Sequence, residues 1–418
     1  MKSIKWINIF LVVFFILIMI FLKIKKNLPN YQISVNSDIA FIDNHVNIKR
    51  DILKDTTDPW NIPIKYCVES PVNEKNVIKA IKEIENNTCV KFEKIDGCTN
   101  KTQELLFRKG SSCASRIGHV SKNYSQIITL TPECYGNSYI ILHEIGHALG
   151  LVHEHARIDR DKYVTIDYNS MNEYGKYDFA IRNEVYYLNY STYYDYSALM
   201  HYEPYSFSTF WRWLFGYPVI LPKLNRQYSR MMGQRKKMTF NEYKRINLCY
   251  CNKCYWVDNK TGRRNETTTI RCKNNGYPDY RNCSNCICPT GYTGKLCDKI
   301  TPSDKNCGNI TTFNATNNVS SLIFTNKMKC YILLKAINKS KKIYLNIMYA
   351  NAPYRDTTCT EDVGFQFKYM KDKGTTGLLL CGTHIQNMEL KSEARYILVF
   401  YRGESGHSLL AIAFKQID

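Results

Sequence analysis

His143 and His147 stand four residues apart in an apolar run, so on a helix their imidazoles leave one face and can hold a cation between them. Glu144 follows the first of them on the same turn, within reach of a water at that cation but not arranged as a ligand, which is the placement of a general base. Gly150 falls one turn beyond His147, where glycine accepts the left-handed conformation that stops a helix and lets the chain turn back. His153 then brings a third imidazole from beyond the turn. Three neutral histidines leave one position of a tetrahedral zinc ion exchangeable, the pattern of a catalytic site and not of a structural one. In such a site zinc takes the pKa of water from about 16 to about 7, so the chemistry on offer is hydrolysis at neutral pH.

A bare His-Glu-x-x-His arises by chance, but the added glycine and third histidine at fixed offsets make chance a poor account. Two elements must position the set. One is an apolar helix from about Ser138 to Leu149, with Ser138 as N-cap and Gly150 as its stop. The other comes from the metzincin signature that this spacing resembles, which implies a methionine turn downstream as an apolar floor that offers no competing ligand, here Met200 in Ser197-Ala-Leu-Met200-His-Tyr202. The run from His143 to Arg157, the methionine turn, and Tyr194-Asp-Tyr196 before it resemble the astacin family of metzincin zinc endopeptidases. That resemblance implies an α+β catalytic domain of two subdomains, with one zinc ion held by His143, His147 and His153. It implies Glu144 as the base, and Tyr202 as a movable fifth ligand whose phenol turns to the oxyanion. Met200 and Glu154 take structural tasks, the latter as acceptor of the buried mature N-terminus. No organic cofactor is implied.

With 418 residues, 44% of them apolar, the chain can fill two or three cores. Its 17 cysteines, an apolar leader and Asn-x-Ser/Thr sites recurring from Asn86 to Asn338 point to secretion and a disulfide framework. The odd count requires at least one cysteine that is free or bonded to another chain. The formal charge of +20 is spread along the sequence, which implies a generally basic surface and no specific nucleic-acid partner.

Residues Ile7 to Leu22 are almost wholly apolar with lysines on both sides, a length between a signal-peptide core and a spanning helix. Residues 1–26 read as a cleaved secretory signal, with a type II membrane anchor as the alternative, so a membrane is a partner only if the segment stays uncleaved. Residues 27–50 resemble the family's short pro-segment. In it Val35-Asn-Ser-Asp38-Ile is a degenerate form of a Phe-x-Gly-Asp motif whose aspartate, here Asp38, occupies the zinc position as a latency switch. Lys49-Arg50 suits a basic-specific activating protease, and cleavage there makes Asp51 the first mature residue and Trp60 the tenth, the family's spacing.

The peptidase domain is expected over 51–254, with strands at Ile62 to Val68, Leu105 to Phe107 and Ile127 to Leu130, and helices at Val77 to Thr88 and Phe240 to Leu248. The resemblance pairs Cys113 with Cys134 and Cys89 with Cys254. Cys67, Cys98, Cys249 and Cys251 fall outside its pattern and are expected to add bridges that tie the domain's start to its end. The aromatic run Phe210 to Tyr217 reads either as a substrate-side or interface loop or as packed core. Residues 255–300, with Cys272 to Cys297 and a Gly-aromatic-x-Gly turn, resemble an EGF-like module that draws one cysteine partner from upstream. The spacing of Cys283, Cys286 and Cys288 also fits a small zinc site. Residues 301–418 place Cys307 with Cys330 and Cys359 with Cys381 among alternating strands such as Lys342 to Met348 and Tyr396 to Tyr401, and resemble a CUB β-sandwich used for protein or matrix contacts.

The whole reads as a secreted zinc endopeptidase of protein or peptide substrates, made as a zymogen, with extracellular matrix as a further partner class. Two other readings compete. A catalytically inactive binding protein would act through its EGF-like and CUB modules, yet His143, Glu144, His147, His153 and Tyr202 are all present. A matrix scaffold using zinc only for folding would not need Glu144.

Overall fold

Leu105, Leu106 and Phe107 are consecutive and all buried, which happens in a strand only when both faces of its sheet are covered. They lie in Glu104–Lys109, the third strand of a four-stranded parallel sheet ordered Phe92–Lys94, Ile64–Val68, Glu104–Lys109, Gln126–Leu130. Two helices packed on each other share its core: α1 (Glu74–Asn87), which buries Val77, Ala80, Ile81 and Ile84 at helical spacing, and α2 (Ser138–Ala148), which carries the histidine pair. The computed structural model describes residues 52–53, 59–99, 103–181, 187–354, 358–384 and 387–418. The apolar leader, Asp38, Arg50 and Asp51 lie outside the described residues, and among these no helix is long and apolar enough to cross a membrane.

Beyond α2 the chain has little regular structure until α3 (Phe240–Tyr250). Its lower half is held by a strand pair, Val164–Ile166 with Ile220–Pro222, and by an aromatic core in which the rings of Tyr196 and Tyr228 stack 4.1 Å apart. The aromatic run does not join that core. Phe210–Leu214 is a short helix with no buried residue, and Trp211 is 64% exposed, so the packed-core alternative is set aside.

Residues 277–300 form two small strand pairs, and 312–417 form two facing sheets. The first sheet runs Thr312–Ala315, Lys329–Ala336, Tyr396–Arg402, Phe365–Lys368, Leu378–Leu380; the second runs Ser320–Thr325, Leu409–Ile417, Lys342–Ala352, Gly382–His384, with Met388–Lys391 also pairing to Lys342–Ala352. In Lys329–Ala336 every second residue from Cys330 to Ala336 is buried, the period of a strand with one face inward.

Cys113–Cys134, Cys307–Cys330 and Cys359–Cys381 are bridged. Cys89 is joined to Cys251, not to Cys254 as the family pattern suggested, because Cys251 is the C-cap of α3 and lies where Asn247 of that helix accepts from Cys89 N. Cys254 instead reaches forward to Cys283, supplying the upstream partner that the small module lacked. Cys272–Cys286 and Cys288–Cys297 complete that module, so its cysteines are not zinc ligands. Cys67 pairs locally with Cys98 and does not tie the domain's start to its end. Cys249 is left as a thiol facing Leu53 O at 3.8 Å, and burial pushes its pKa up to about 11, which keeps it protonated and unreactive. Alkylation of the denatured, unreduced protein is therefore expected to label Cys249 alone, and peptide mapping to recover Cys89 linked to Cys251. Recovery of a Cys89–Cys254 peptide would show that the α3 end is registered differently.

Candidate metal centre

The zinc-ligand helix must end cleanly, because a helix leaves its last carbonyls without intrahelical donors. At the end of α2 each finds one. Ile145 O accepts from Leu149 N, Gly146 O from Leu151 N, His147 O from Gly150 N and Gly118 N, and Ala148 O from the indole of Trp60 at 2.8 Å. Gly150 adopts φ +98°, the left-handed stop expected of it. At the other end the N-cap is Asn137, whose side chain accepts from Tyr139 N, and Ser138 is already helical. Asparagine caps as well as serine does, so the one-residue shift costs nothing.

The stop brings His153 back onto the pair. His153 Nε2 lies 3.2 Å from His143 Nε2 and 3.1 Å from His147 Nε2. His143 Nδ1 donates to Leu199 O at 2.9 Å and His147 Nδ1 to Leu151 O at 2.8 Å; since a carbonyl only accepts, both protons sit on Nδ1 and these two Nε2 lone pairs are bare. Burial holds His143 and His153 well below the ordinary histidine range, helped by Arg235 beside the first and by the other imidazoles beside the second. Lone pairs converging in a buried site repel unless a cation sits among them. A tetrahedral zinc ion about 2.0–2.1 Å from each nitrogen would set them about 3.3 Å apart, so the trio fits that metal. These three histidines are the one such cluster found among the described residues.

Glu144, directly after the first ligand, is fully buried. Met200 lies beneath the helix: a Cβ added to Gly146, between the two helical ligands, would stand only 3.1 Å from Met200 Sδ. A larger residue at 146 would press on Met200, which would have to give. The ring of Tyr202, 2% exposed, packs 4.3 Å from that of His153 and 4.2 Å from that of His155, beside the third ligand.

The family model described as Astacin, a peptidase family, matches residues 52–251, the span that contains every one of these groups. Over that span, just under half of the chain, the sequence matches an astacin peptidase domain. Among curated relatives it is 29% identical over 364 residues to zinc metalloproteinase nas-34 of Caenorhabditis elegans, covering 86% of this chain and 56% of that protein. To zinc metalloproteinase dpy-31 of the same organism it is 28% identical over 393 residues, covering 90% and 63%. The chain thus spans less than two thirds of the length of these relatives. High choriolytic enzyme 1, a hatching enzyme zinc-protease from medaka, is similar at 27% identity over 48% of this chain and 98% of its own, with a TM-score of 0.42.

In this astacin-like domain the methionine turn is held by residues that the motif does not contain. Glu242 in the first turn of α3 accepts from Leu199 N, Met200 N and Thr239 N at 3.1, 2.9 and 2.7 Å, so one capping-box carboxylate both caps its helix and carries the turn. Arg235 donates to Leu199 O and His201 O, and Gln234 to Ser197 O. A Thr-x-x-Glu before an apolar run is visible in sequence, but only as a helix start. His201 donates from Nδ1 to Tyr202 O and accepts from the Tyr194 hydroxyl at Nε2, and burial pushes its pKa down to about 4.

Glu154 also sits among partners that the motif did not show. Its Oε2 accepts from Arg245 at 3.0 and 3.1 Å, its Oε1 from Arg157 at 3.3 Å and from Asp195 N at 2.9 Å, while Glu154 N donates to Met200 O. Asp51, whose terminus was expected there, is outside the described residues. Replacing Glu242 by alanine should leave three buried N–H groups of the turn and cap without their acceptor, and cost about 3 kcal/mol or more. Urea unfolding with a midpoint equal to wild type would show that the turn does not depend on it.

Proposed function

We propose that the chain is a zinc-dependent endopeptidase that cleaves protein or peptide substrates outside the cell. The observation that carries this reading is the convergence of three buried imidazoles, with His153 Nε2 lying 3.1–3.2 Å from the Nε2 atoms of the other two. When bound there, zinc supplies a Lewis acid that acidifies water and polarises a carbonyl. The rest falls to the chain. The Glu144 carboxylate takes the proton of the attacking water and returns it to the leaving amine. The Tyr202 phenol donates to the oxyanion of the tetrahedral adduct, where charge develops. Leu199 O and Leu151 O keep the ligand imidazoles in one tautomer, and Met200 keeps water and rival ligands from beneath them.

The segment from Cys254 supports an EGF-like module, since Cys254–Cys283 and Cys272–Cys286 interlock in sequence and Cys288–Cys297 encloses the Gly-aromatic-x-Gly turn at Gly291. The facing sheets of 312–417 support a CUB-like sandwich suited to protein or matrix contacts. Maturation by cleavage after Arg50 belongs to the same reading. Leu53 N donates to Gly150 O at 2.9 Å, and Ile52 bridges Leu151, so the chain just past the cut lies against the turn between the second and third ligands.

Glu144→Ala is expected to keep one zinc per chain by elemental analysis while hydrolysis of labelled casein falls by about a hundredfold or more. Full turnover with normal zinc content would remove the proposed base. Separately, an Arg50→Gln chain secreted uncut should hydrolyse casein far more slowly than the trimmed one, and equal rates would end the zymogen reading.

A further inference from the structure

The lower half of the peptidase domain does not end at a surface of its own. The buried cluster that contains Tyr196, Tyr202 and Tyr228 runs without a break into Phe367, Tyr369 and Leu379 of the sandwich. Polar groups cross the same seam. Cys359 N donates to Arg230 O at 2.7 Å, Tyr228 OH meets Tyr369 OH at 3.1 Å, and Lys237 faces Asp362 at 3.3 Å.

At its centre is the loop 369–376. Thr376 donates twice, from N at 2.9 Å and from Oγ1 at 3.0 Å, to Oδ2 of Asp195. Asp195 is fully buried, and burial pushes it up to about 7, against the pull of the Thr376 N–H. Its other oxygen, Oδ1, accepts from Ser197 N at 3.0 Å, its carbonyl accepts from Ala198 N at 3.0 Å, and its own N–H goes to Glu154. Asp195 therefore opens the turn that ends at Met200 and is wired to the residue after the third ligand. Asp372 works in the reverse sense, accepting from Tyr193 N at 2.8 Å and from the Asn241 amide at 3.1 Å, one residue before Glu242. Gly374 lets the loop come this close, since a Cβ there would lie 2.4 Å from Asn241 Oδ1. The loop is also stiff: Lys373 Nζ is buried and donates to the carbonyls of Lys368, Met370 and Tyr396.

We propose that the sandwich loop 369–376 is a built-in support of the zinc site, and that Asp195 is the positioning residue through which Thr376 holds the methionine turn. This rests on the endopeptidase reading above for its kinetic consequence, though not for its structural one. The physical reason is that a buried carboxylate needs donors on both oxygens, and Oδ2 receives both of its hydrogen bonds from the sandwich. With one removed, the carboxylate seeks compensation by moving, and the turn moves with it.

The test uses the full chain carrying Thr376→Val, which keeps shape and N–H but loses Oγ1, with Thr376→Ser, Asp195→Asn and the Thr376→Val/Asp195→Asn double variant. Hydrogen exchange of the 195–202 segment is the structural readout, and kcat and KM on a quenched peptide cut from casein the functional one. Thr376→Val is expected to speed exchange at Ala198 about fivefold and to lower kcat about threefold to tenfold with KM little changed, as loss of one hydrogen bond to a charged group allows. Thr376→Ser should restore both, and the double variant should be no worse than Asp195→Asn alone. Unchanged exchange in Thr376→Val, or additive effects in the double variant, would overturn the proposal. A wild-type chain that loads zinc and cleaves nothing would instead overturn the endopeptidase reading, and the exchange data would still decide the role of Asp195.

Discussion

Imidazole lone pairs crowded into a buried pocket are the constraint to which the rest of the fold answers. They face one another only because the proton of each helical ligand is fixed on its far nitrogen by a backbone carbonyl, Leu199 O for His143 and Leu151 O for His147. Each carbonyl sets a demand on the chain. Leu151 can present its oxygen to a residue four positions earlier only if the helix has already stopped, which is the task of Gly150 at φ +98°. Leu199 can do so only if a distant turn is pressed up under the helix, which is eased by the absence of a side chain at 146 and held by a carboxylate, Glu242, that collects the turn's N–H groups. The electrostatics of the pocket thus reach from the histidine helix to the last helix of the domain.

Much of this could be read in the sequence. Ligand identity follows from side-chain chemistry at helical spacing, and glycine as a stop follows from backbone sterics; both are local and survive without coordinates. The elements were legible for the same reason, with α1, α3 and the strands around Ile64, Leu105 and Ile128 lying where apolar periodicity put them. What could not be read depends on contacts between distant segments. Glu242 looks like an ordinary capping residue until the methionine turn is laid across it. Arg245 shows no sign in sequence that it will meet Glu154. The choice of Cys251 over Cys254 for Cys89 turns on where one helix ends, a matter of a single turn that spacing does not resolve. The aromatic run at 210–217 gave two opposite readings because composition alone does not say which way a side chain faces.

Around Glu154 the domain concentrates charge in a way that apolar packing alone would not require. Two guanidiniums, those of Arg157 and Arg245, are almost wholly buried with it. Isolated buried ions are costly, and here each is matched, with Asp159 completing the hydrogen bonds of Arg157. Such a network tolerates few alternative arrangements, which suits a place where the residue after a metal ligand must not drift. Tyr194 and Tyr196 flank Asp195 in chain order and carry the same rigidity outward, one to His201 and the other to Tyr163 O.

The bridge between Cys254 and Cys283 has a bearing on how the molecule could come apart. Cys251 is tied back to Cys89 and Cys254 forward to Cys283, so the link between the peptidase domain and everything after it passes through Asn252 and Lys253, which no bridge spans. A nick at those two residues would cut the chain into pieces joined by no covalent bond. The pieces would nevertheless stay together through the shared core and the Asp195–Thr376 seam, so that in this protein the covalent border and the cooperative border fall in different places.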